Sequence, residues 1–194
     1  MDMQTLRHLS QRAGCLILGC LLAVACSETE YEYSHHRAFF IFDNSIHLDQ
    51  CLATAMNPMS PGIFCRISIS GTNNYRFENN QGLTGQAVMT AVDQQRTVLL
   101  GTYNESGVIV GFGALDNPPT FYAYDAQCSN CYEKEKMPRY QLTMNSSGKA
   151  TCRQCQRVYD LNNGGIISQG AQGEKLIRYR ATTTGPMGIL SVNN

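Results

Sequence analysis

The chain has 194 residues, of which 43% are hydrophobic and 15% are charged, and its basic and acidic side chains balance to a net charge of zero. A neutral chain lacks the basic surface that binds a nucleic-acid backbone, and this apolar content is too high for a disordered protein. The length suits one compact domain with a small appendage. The four His residues all lie at or before position 47, so no imidazole ligand is available in the rest of the chain.

The start of the chain, residues 1–25, has the composition of a bacterial signal peptide. Two arginines precede an uncharged stretch over 13–25, which is shorter than the roughly 20 residues that span a membrane. The stretch ends in Leu-Ala-Val-Ala before Cys26 and resembles the lipobox of bacterial lipoproteins, although alanine stands where such boxes usually have leucine. The resemblance implies cleavage before Cys26 and a lipid on its sulfur. Cys20 is a second candidate, and an ordinary secreted or cytosolic protein with a buried N-terminal helix is the alternative.

Residues 26–37 are predicted to form a short acidic tether between the lipid and the domain. Acidic residues directly after a lipidated Cys resemble the surface-export signals of Bacteroidetes lipoproteins. The resemblance implies a membrane partner, reached through the lipid. It also implies a location in the bacterial cell envelope, at the periplasmic or surface face of the outer membrane. We expect no nucleic-acid partner, and the sequence identifies no protein partner.

The remaining residues, 38–194, have the pattern of an all-β domain. Apolar clusters are short, turn residues recur every 8–15 positions, and residues 63–69 alternate between apolar and other side chains as in a half-buried strand. Further strands are predicted at 39–42, 98–100, 107–112, 120–124, 140–144, 175–184 and 187–192. The only helix-like stretch is 83–92, and residues 44–62 and 71–82 are predicted to be loops.

Four of the six cysteines that follow Cys26 form two Cys-x-x-Cys pairs. Cys128 and Cys131 make the first pair, Cys152 and Cys155 make the second, and twenty residues separate the pairs. Each pair is a tight turn that directs two sulfurs toward one point, so two such turns on adjacent hairpins predict a tetrahedral metal site. Two disulfides in an oxidising compartment are the alternative. A thiol oxidoreductase would have one pair at a helix start, and the strand-like surroundings disfavour it.

The segment that carries these pairs is basic. Residues 128–157 contain six Lys or Arg against two Glu, a local charge of +4 in a neutral chain. Because four thiolates on a divalent ion carry a net charge of −2, we expect these cations to favour the ionised sulfurs.

The other two cysteines, Cys51 and Cys65, are 14 positions apart and lie outside the paired motifs. They are predicted to form a disulfide or to remain two separate buried thiols.

The second half of the chain resembles Rieske proteins over residues 107–180. Residues 122–128 (Tyr-Ala-Tyr-Asp-Ala-Gln-Cys) are similar to the strand that enters the first cluster-binding loop of that family. Residues 152–171 are similar to the second loop, with its aromatic-Asp pair, glycine turn and β-branched pair. The likeness extends to Rieske-like lipoproteins of Bacteroidetes. It implies an antiparallel β-sandwich with a small rubredoxin-like or zinc-ribbon-like metal-binding subdomain at about 126–172.

The ligands depart from the pattern of that family. Rieske proteins hold a [2Fe–2S] cluster through two Cys and two His, whereas Cys131 and Cys155 stand at the two His positions here. We therefore expect Zn²⁺ in a closed structural site and a non-catalytic envelope protein, with no catalytic residues. The alternative is an electron-transfer protein with an all-Cys [2Fe–2S] cluster, at a potential of about −400 mV.

Overall fold

The structure is a computed structural model that describes residues 32–194. The predicted signal peptide, the lipidation site Cys26 and the first half of the predicted tether lie outside the described residues. The described part consists of two antiparallel sheets and four short helices, so the domain is mostly β, as expected. None of the helices within 32–194 is both long enough and apolar enough to cross a membrane.

Eight strands form a large sheet and four form a small one. The strands are β1 (Phe39–Asp43), β2 (Phe64–Ser70), β3 (Asn74–Asn79), β4 (Thr84–Val88), β5 (Val108–Phe112), β6 (Phe121–Asp125), β7 (Leu142–Met144), β8 (Lys149–Cys152), β9 (Val158–Asp160), β10 (Ile166–Gln169), β11 (Arg178–Thr183) and β12 (Ile189–Asn193). The helices are α1 (Asn44–His47), α2 (Gln50–Ala55), α3 (Ala91–Gln95) and α4 (Ser129–Glu135). The large sheet has the order β1-β12-β11-β6-β5-β2-β3-β4, and the small sheet has the order β10-β9-β8-β7.

The large sheet curls so that its first strand faces strands near its opposite edge. Phe40 and Phe42 of β1 contact Tyr75 and Phe77 of β3, with ring centroids 5.6 Å apart for Phe40–Tyr75 and 5.3 Å apart for Phe42–Phe77. All four rings are fully buried. Since five strands separate β1 from β3 in the sheet order, these contacts require the curl, and they create a core within it.

The central strands of the large sheet are buried on both faces. In β5, Val108 and Val110 point into the core within the curl, whereas Ile109 points to the opposite face. There, Ile109 and Tyr124 belong to a second core that includes Tyr159 of the small sheet. Burial on both faces explains why β5 is a continuous apolar run rather than an alternating one. The second core fixes the small sheet to the large one.

The small sheet is inserted between β6 and β11, which are hydrogen-bonded neighbours in the large sheet. The amide of Asp125 donates to the carbonyl of Ile177 at 2.9 Å, so the insertion leaves and rejoins the large sheet at one point. The Asp125 carboxylate is buried there and accepts bonds from the Tyr179 hydroxyl at 2.8 Å and the amides of Thr102 and Gln127. Burial raises the pKa of Asp125, and these donors oppose the rise.

The predicted helix over 83–92 is wrong. Its first part is strand β4, which pairs with β3, and helix α3 begins only at Ala91. Leu83, Val88 and Val92, which suggested a helical face, are exposed. Pairing with β3 therefore overrides the local helical pattern.

Two of the predicted loops also contain regular structure. Residues 44–62 include α1 and α2, and residues 71–82 include β3. Helix α2 begins after Asp49, whose carboxylate accepts from the Leu52 amide at 2.7 Å. An Asp cap of this kind begins a helix too short to show apolar periodicity.

Candidate metal centre

The structure brings the four cysteines of the two pairs together. All four sulfur atoms lie within 4.8 Å of one another. The Sγ atoms of Cys128 and Cys155 are 3.6 Å apart, and those of Cys131 and Cys152 are 3.8 Å apart. Sulfurs bound tetrahedrally at about 2.3 Å from a zinc ion would be about 3.8 Å apart. The group therefore has the ligand type and the dimensions to hold one metal ion.

The first pair lies at the start of a helix, not on the predicted hairpin. Cys128 is the N-cap residue of α4, and Cys131 lies in the first helical turn. The amide of Tyr132 donates to the carbonyl of Cys128 at 2.9 Å. Residues three apart share one side of a helix, so both sulfurs face the same direction. A Cys-x-x-Cys pair at a helix start is also typical of thiol oxidoreductases, where it stands alone. Here the sulfurs of the second pair lie within 4.8 Å of it.

The second pair lies on the predicted hairpin, between β8 and β9. Cys152 ends β8, and Cys155 lies in the turn that follows. The turn is closed by the Gln156 amide, which donates to the carbonyl of Cys152 at 2.9 Å. Gln156 has a φ of 58°, in the left-handed region that usually favours glycine. This conformation turns the chain immediately after Cys155 and returns it to β9.

The sulfurs differ in their electrostatic surroundings. Cys128, Cys131 and Cys152 are buried, whereas Cys155 is half-buried. Burial raises the pKa of Cys128 to about 11 and that of Cys131 still further. Burial acts in the same direction on Cys155, but hydrogen bonds from the backbone and side chain of Arg157 lower its pKa to about 7. A metal ion that binds at neutral pH must therefore displace protons from Cys128 and Cys131.

Tyr159 and Asn130 form a polar contact network behind Cys128. The Tyr159 hydroxyl lies 3.2 Å from the Cys128 sulfur and accepts a bond from Asn130 Nδ2 at 2.9 Å. Its own proton is therefore free to point at the sulfur. Asn130 Nδ2 also donates to the carbonyl of Glu174 at 2.7 Å. Contacts of this kind orient metal ligands and tune their basicity.

Arg157 joins the centre to the segment that follows the small sheet. Its Nε and Nη2 atoms each donate at 2.9 Å, to the carbonyls of Ala171 and Gln172 respectively. Its guanidinium also helps to lower the pKa of the Cys155 thiol. By sequence alone, Arg157 is only one of the six cations of a basic segment. Other cations of that segment pair with carboxylates: Lys136 with Glu133, Arg139 with Glu135, and Lys149 with Asp160.

The remaining cysteines lie elsewhere in the described structure. Cys51 on α2 and Cys65 on β2 belong to the core within the curl, with their Sγ atoms 3.6 Å apart. They are close but not bonded.

Compared with protein-family models, curated proteins and solved structures, the chain matches none of them. Its function is therefore inferred from the chemistry of the centre. Four thiolates fill the tetrahedral coordination of a zinc ion and leave no position for water or substrate. An ion bound here would crosslink α4 to the β8–β9 hairpin.

Proposed function

We propose that this chain is an exported, lipid-anchored Rieske-like protein whose four-Cys centre is a structural zinc site in a non-catalytic envelope domain. The observation that carries the proposal is the mutual separation of the four sulfurs, which is at most 4.8 Å. One tetrahedral ion needs separations of about 3.8 Å. In a [2Fe–2S] cluster the thiolates are divided between two irons, so sulfurs at opposite ends lie further apart than sulfurs on one ion.

The small sheet is the part that a structural ion would stabilise. Its four strands contain only three or four residues each. Strands this short bury few apolar side chains, and a metal ion supplies folding free energy that such a core lacks. The proposed zinc thus stabilises the small sheet and the loops that adjoin it.

The Rieske-like part of the proposal is supported by the resemblance over 107–180. It is also consistent with an insertion that carries both Cys motifs, one at the start of α4 and the other between β8 and β9. The lipid anchor is supported by the lipobox-like sequence before Cys26 and by the acidic residues after it. Both proposals are open to direct tests.

Electron transfer through an all-Cys [2Fe–2S] cluster is the second candidate. The observation that favours it is the Tyr159 hydroxyl, which lies 3.2 Å from the sulfur of Cys128. Hydrogen bonds to cluster sulfurs set the reduction potential of iron–sulfur proteins. Half-burial of Cys155 would also give a cluster an edge near the surface.

Metal analysis combined with a visible spectrum separates these functions. We expect about one zinc per chain and a colourless protein when the full-length chain is exported with its own leader. The variant Cys152→Ser should lose the zinc, whereas the double variant C51A/C65A should keep it. A coloured iron-containing protein would establish the second candidate. Full zinc content in Cys152→Ser would exclude this site.

Lipidation is tested by fatty-acid labelling and membrane fractionation. We expect Cys26→Ala to lose both the label and the membrane association, whereas Cys20→Ala keeps both. The reverse result would place the lipid on Cys20. Unchanged labelling in both variants would exclude either cysteine as the anchor.

A further inference from the structure

Two thiols meet inside the core of the large sheet, away from the metal centre. Cys51 is 1% exposed and Cys65 is fully buried. Their sulfurs are 3.6 Å apart, which is van der Waals contact, whereas bonded sulfurs are about 2.05 Å apart. Only a small movement of the side chains is therefore needed to bring the two sulfurs to bonding distance.

The fold dictates this meeting. Cys65 lies on β2, where it pairs with Asn79 of β3 on one side and Val110 of β5 on the other. Cys51 lies in the first turn of α2, which Asp49 caps and which packs on β2, β3 and β4. Because both backbones are fixed in this way, the two sulfurs approach each other in every correctly folded chain.

In the folded protein these two thiols are unreactive. Burial raises the pKa of Cys65 well above its usual value, and the adjacent Cys51 adds to the rise. A thiolate is the species that attacks a disulfide, and neither sulfur is open to a reagent in solution. A disulfide between them must therefore form before α2 closes over β2.

We propose that Cys51 and Cys65 are joined by a disulfide that forms while the chain folds in an oxidising compartment. The proposal rests on export, which is part of the proposed function. Each thiol gives up one proton, and the two electrons pass to the disulfide of an envelope thiol–disulfide oxidoreductase, which becomes a dithiol. The new bond closes a loop of 14 positions and fastens α2 to β2.

The chain then contains two chemically distinct sets of cysteines. The four ligand sulfurs stay reduced because the ion holds them, and the sealed pair stays oxidised because reductants cannot reach it. We expect a thiol reductant to leave the pair intact in the native protein and to open it only after unfolding.

Peptide mapping provides the test. Cys51 and Cys65 fall in a single tryptic peptide, between Arg37 and Arg66. The exported full-length protein is alkylated in denaturant with a chelator and without a reductant. We expect this peptide to carry no label and to lack two hydrogens, whereas Cys128, Cys131, Cys152 and Cys155 are all labelled. The same chain without residues 1–25, made in a reducing cytoplasm, should be labelled at these six cysteines and at Cys26.

Label on both Cys51 and Cys65 in the exported protein would overturn the proposal. Zinc and lipid are measured on the same sample, so a failure of the metal site or of export is seen separately.

A double-mutant cycle gives a second readout. In the exported protein C51A, C65A and the double variant should each lower the melting temperature by about 5–10 °C, because each removes the same bond. Additive losses from the two single variants would contradict the disulfide.

Discussion

The hydroxyl of Tyr159 is a single group on which the basicity of Cys128 depends. It lies 3.2 Å from the sulfur and is held there by Asn130. Tyr159→Phe removes the hydroxyl and retains the buried ring. We expect the affinity for zinc, measured in competition with a chelator, to fall about 10-fold. This is the lower end of the loss that follows when a metal ligand loses a hydrogen-bond partner.

Tyr124→Phe is the matched control for that change. Tyr124 is also fully buried, but its hydroxyl donates to the carbonyl of Leu161 at 3.0 Å and not to a sulfur. We expect this variant to lose about 1 kcal/mol of unfolding free energy and to keep its zinc affinity. If both variants lost the same affinity, Tyr159 would act through packing alone.

A second residue-scale prediction concerns Gln156, whose φ of 58° is costly for a side chain with a Cβ atom. Gln156→Gly removes that cost, so we expect the unfolding free energy of the zinc-loaded protein to rise by about 1 kcal/mol in a denaturant titration. Gln154→Gly, in the same turn at negative φ, should lower it by a few tenths of a kcal/mol or more through chain entropy. Equal effects of the two substitutions would show that the backbone strain is absent.

At the scale of elements, seven of the twelve strands were predicted from the sequence, whereas β3 falls in a predicted loop, β4 falls in the predicted helix, and β8, β9 and β10 were not predicted as strands. The predicted ones were recognisable because their side chains reflect which faces are buried. Strand β2 alternates, and β5 is apolar throughout because it is buried on both faces. The helices were missed for the opposite reason: α2 and α3 are too short for periodicity and depend on caps. Thr90 and Asp93 form a capping box at α3 that the sequence does contain, in the form Thr-x-x-Asp.

The spacing of the cysteines predicted that four sulfurs meet, but it did not predict which other side chains lie beside them. Cys-x-x-Cys geometry is local, so the direction of each sulfur follows from a few neighbouring residues. The contacts of Tyr159 and Arg157 depend on how β9 pairs with β8 and on where residues 171–174 pass. These contacts join residues that are far apart in the chain, so local sequence patterns do not predict them.

The small sheet should depend on the ion more than the large sheet does. Hydrogen exchange measured before and after chelation tests this at the scale of elements. We expect amides in β7–β10 to lose protection because α4 and the β8–β9 hairpin are no longer crosslinked. Amides in β1 and β12, which pair with each other in the large sheet, should keep theirs. Uniform loss across both sheets would mean that the ion stabilises the domain as a whole.

For the whole molecule, metal binding is coupled to pH. Burial holds the pKa of Cys128 at about 11 and that of Cys131 higher, so both thiols are protonated in the folded, metal-free protein at pH 7. Zinc must release at least these two protons, and its affinity therefore falls as the pH falls. Competition titrations at pH 6 and pH 7 should give dissociation constants that differ by about 100-fold or more. A dissociation constant that is independent of pH would contradict thiolate ligation by these residues.

The two ends of the insertion lie next to each other, because the Asp125 amide donates to the Ile177 carbonyl. The insertion could therefore be removed without separating β6 from β11. A gene that rejoined the chain at this point would encode an uninterrupted eight-strand ladder without any of the four ligand cysteines. The truncated protein would expose the aromatic surface now covered by the small sheet, which includes Phe64, Tyr122 and Tyr124. Such a shortened domain would have to exchange those rings for polar side chains to stay in solution, so the small sheet also shields apolar side chains of the large sheet from water.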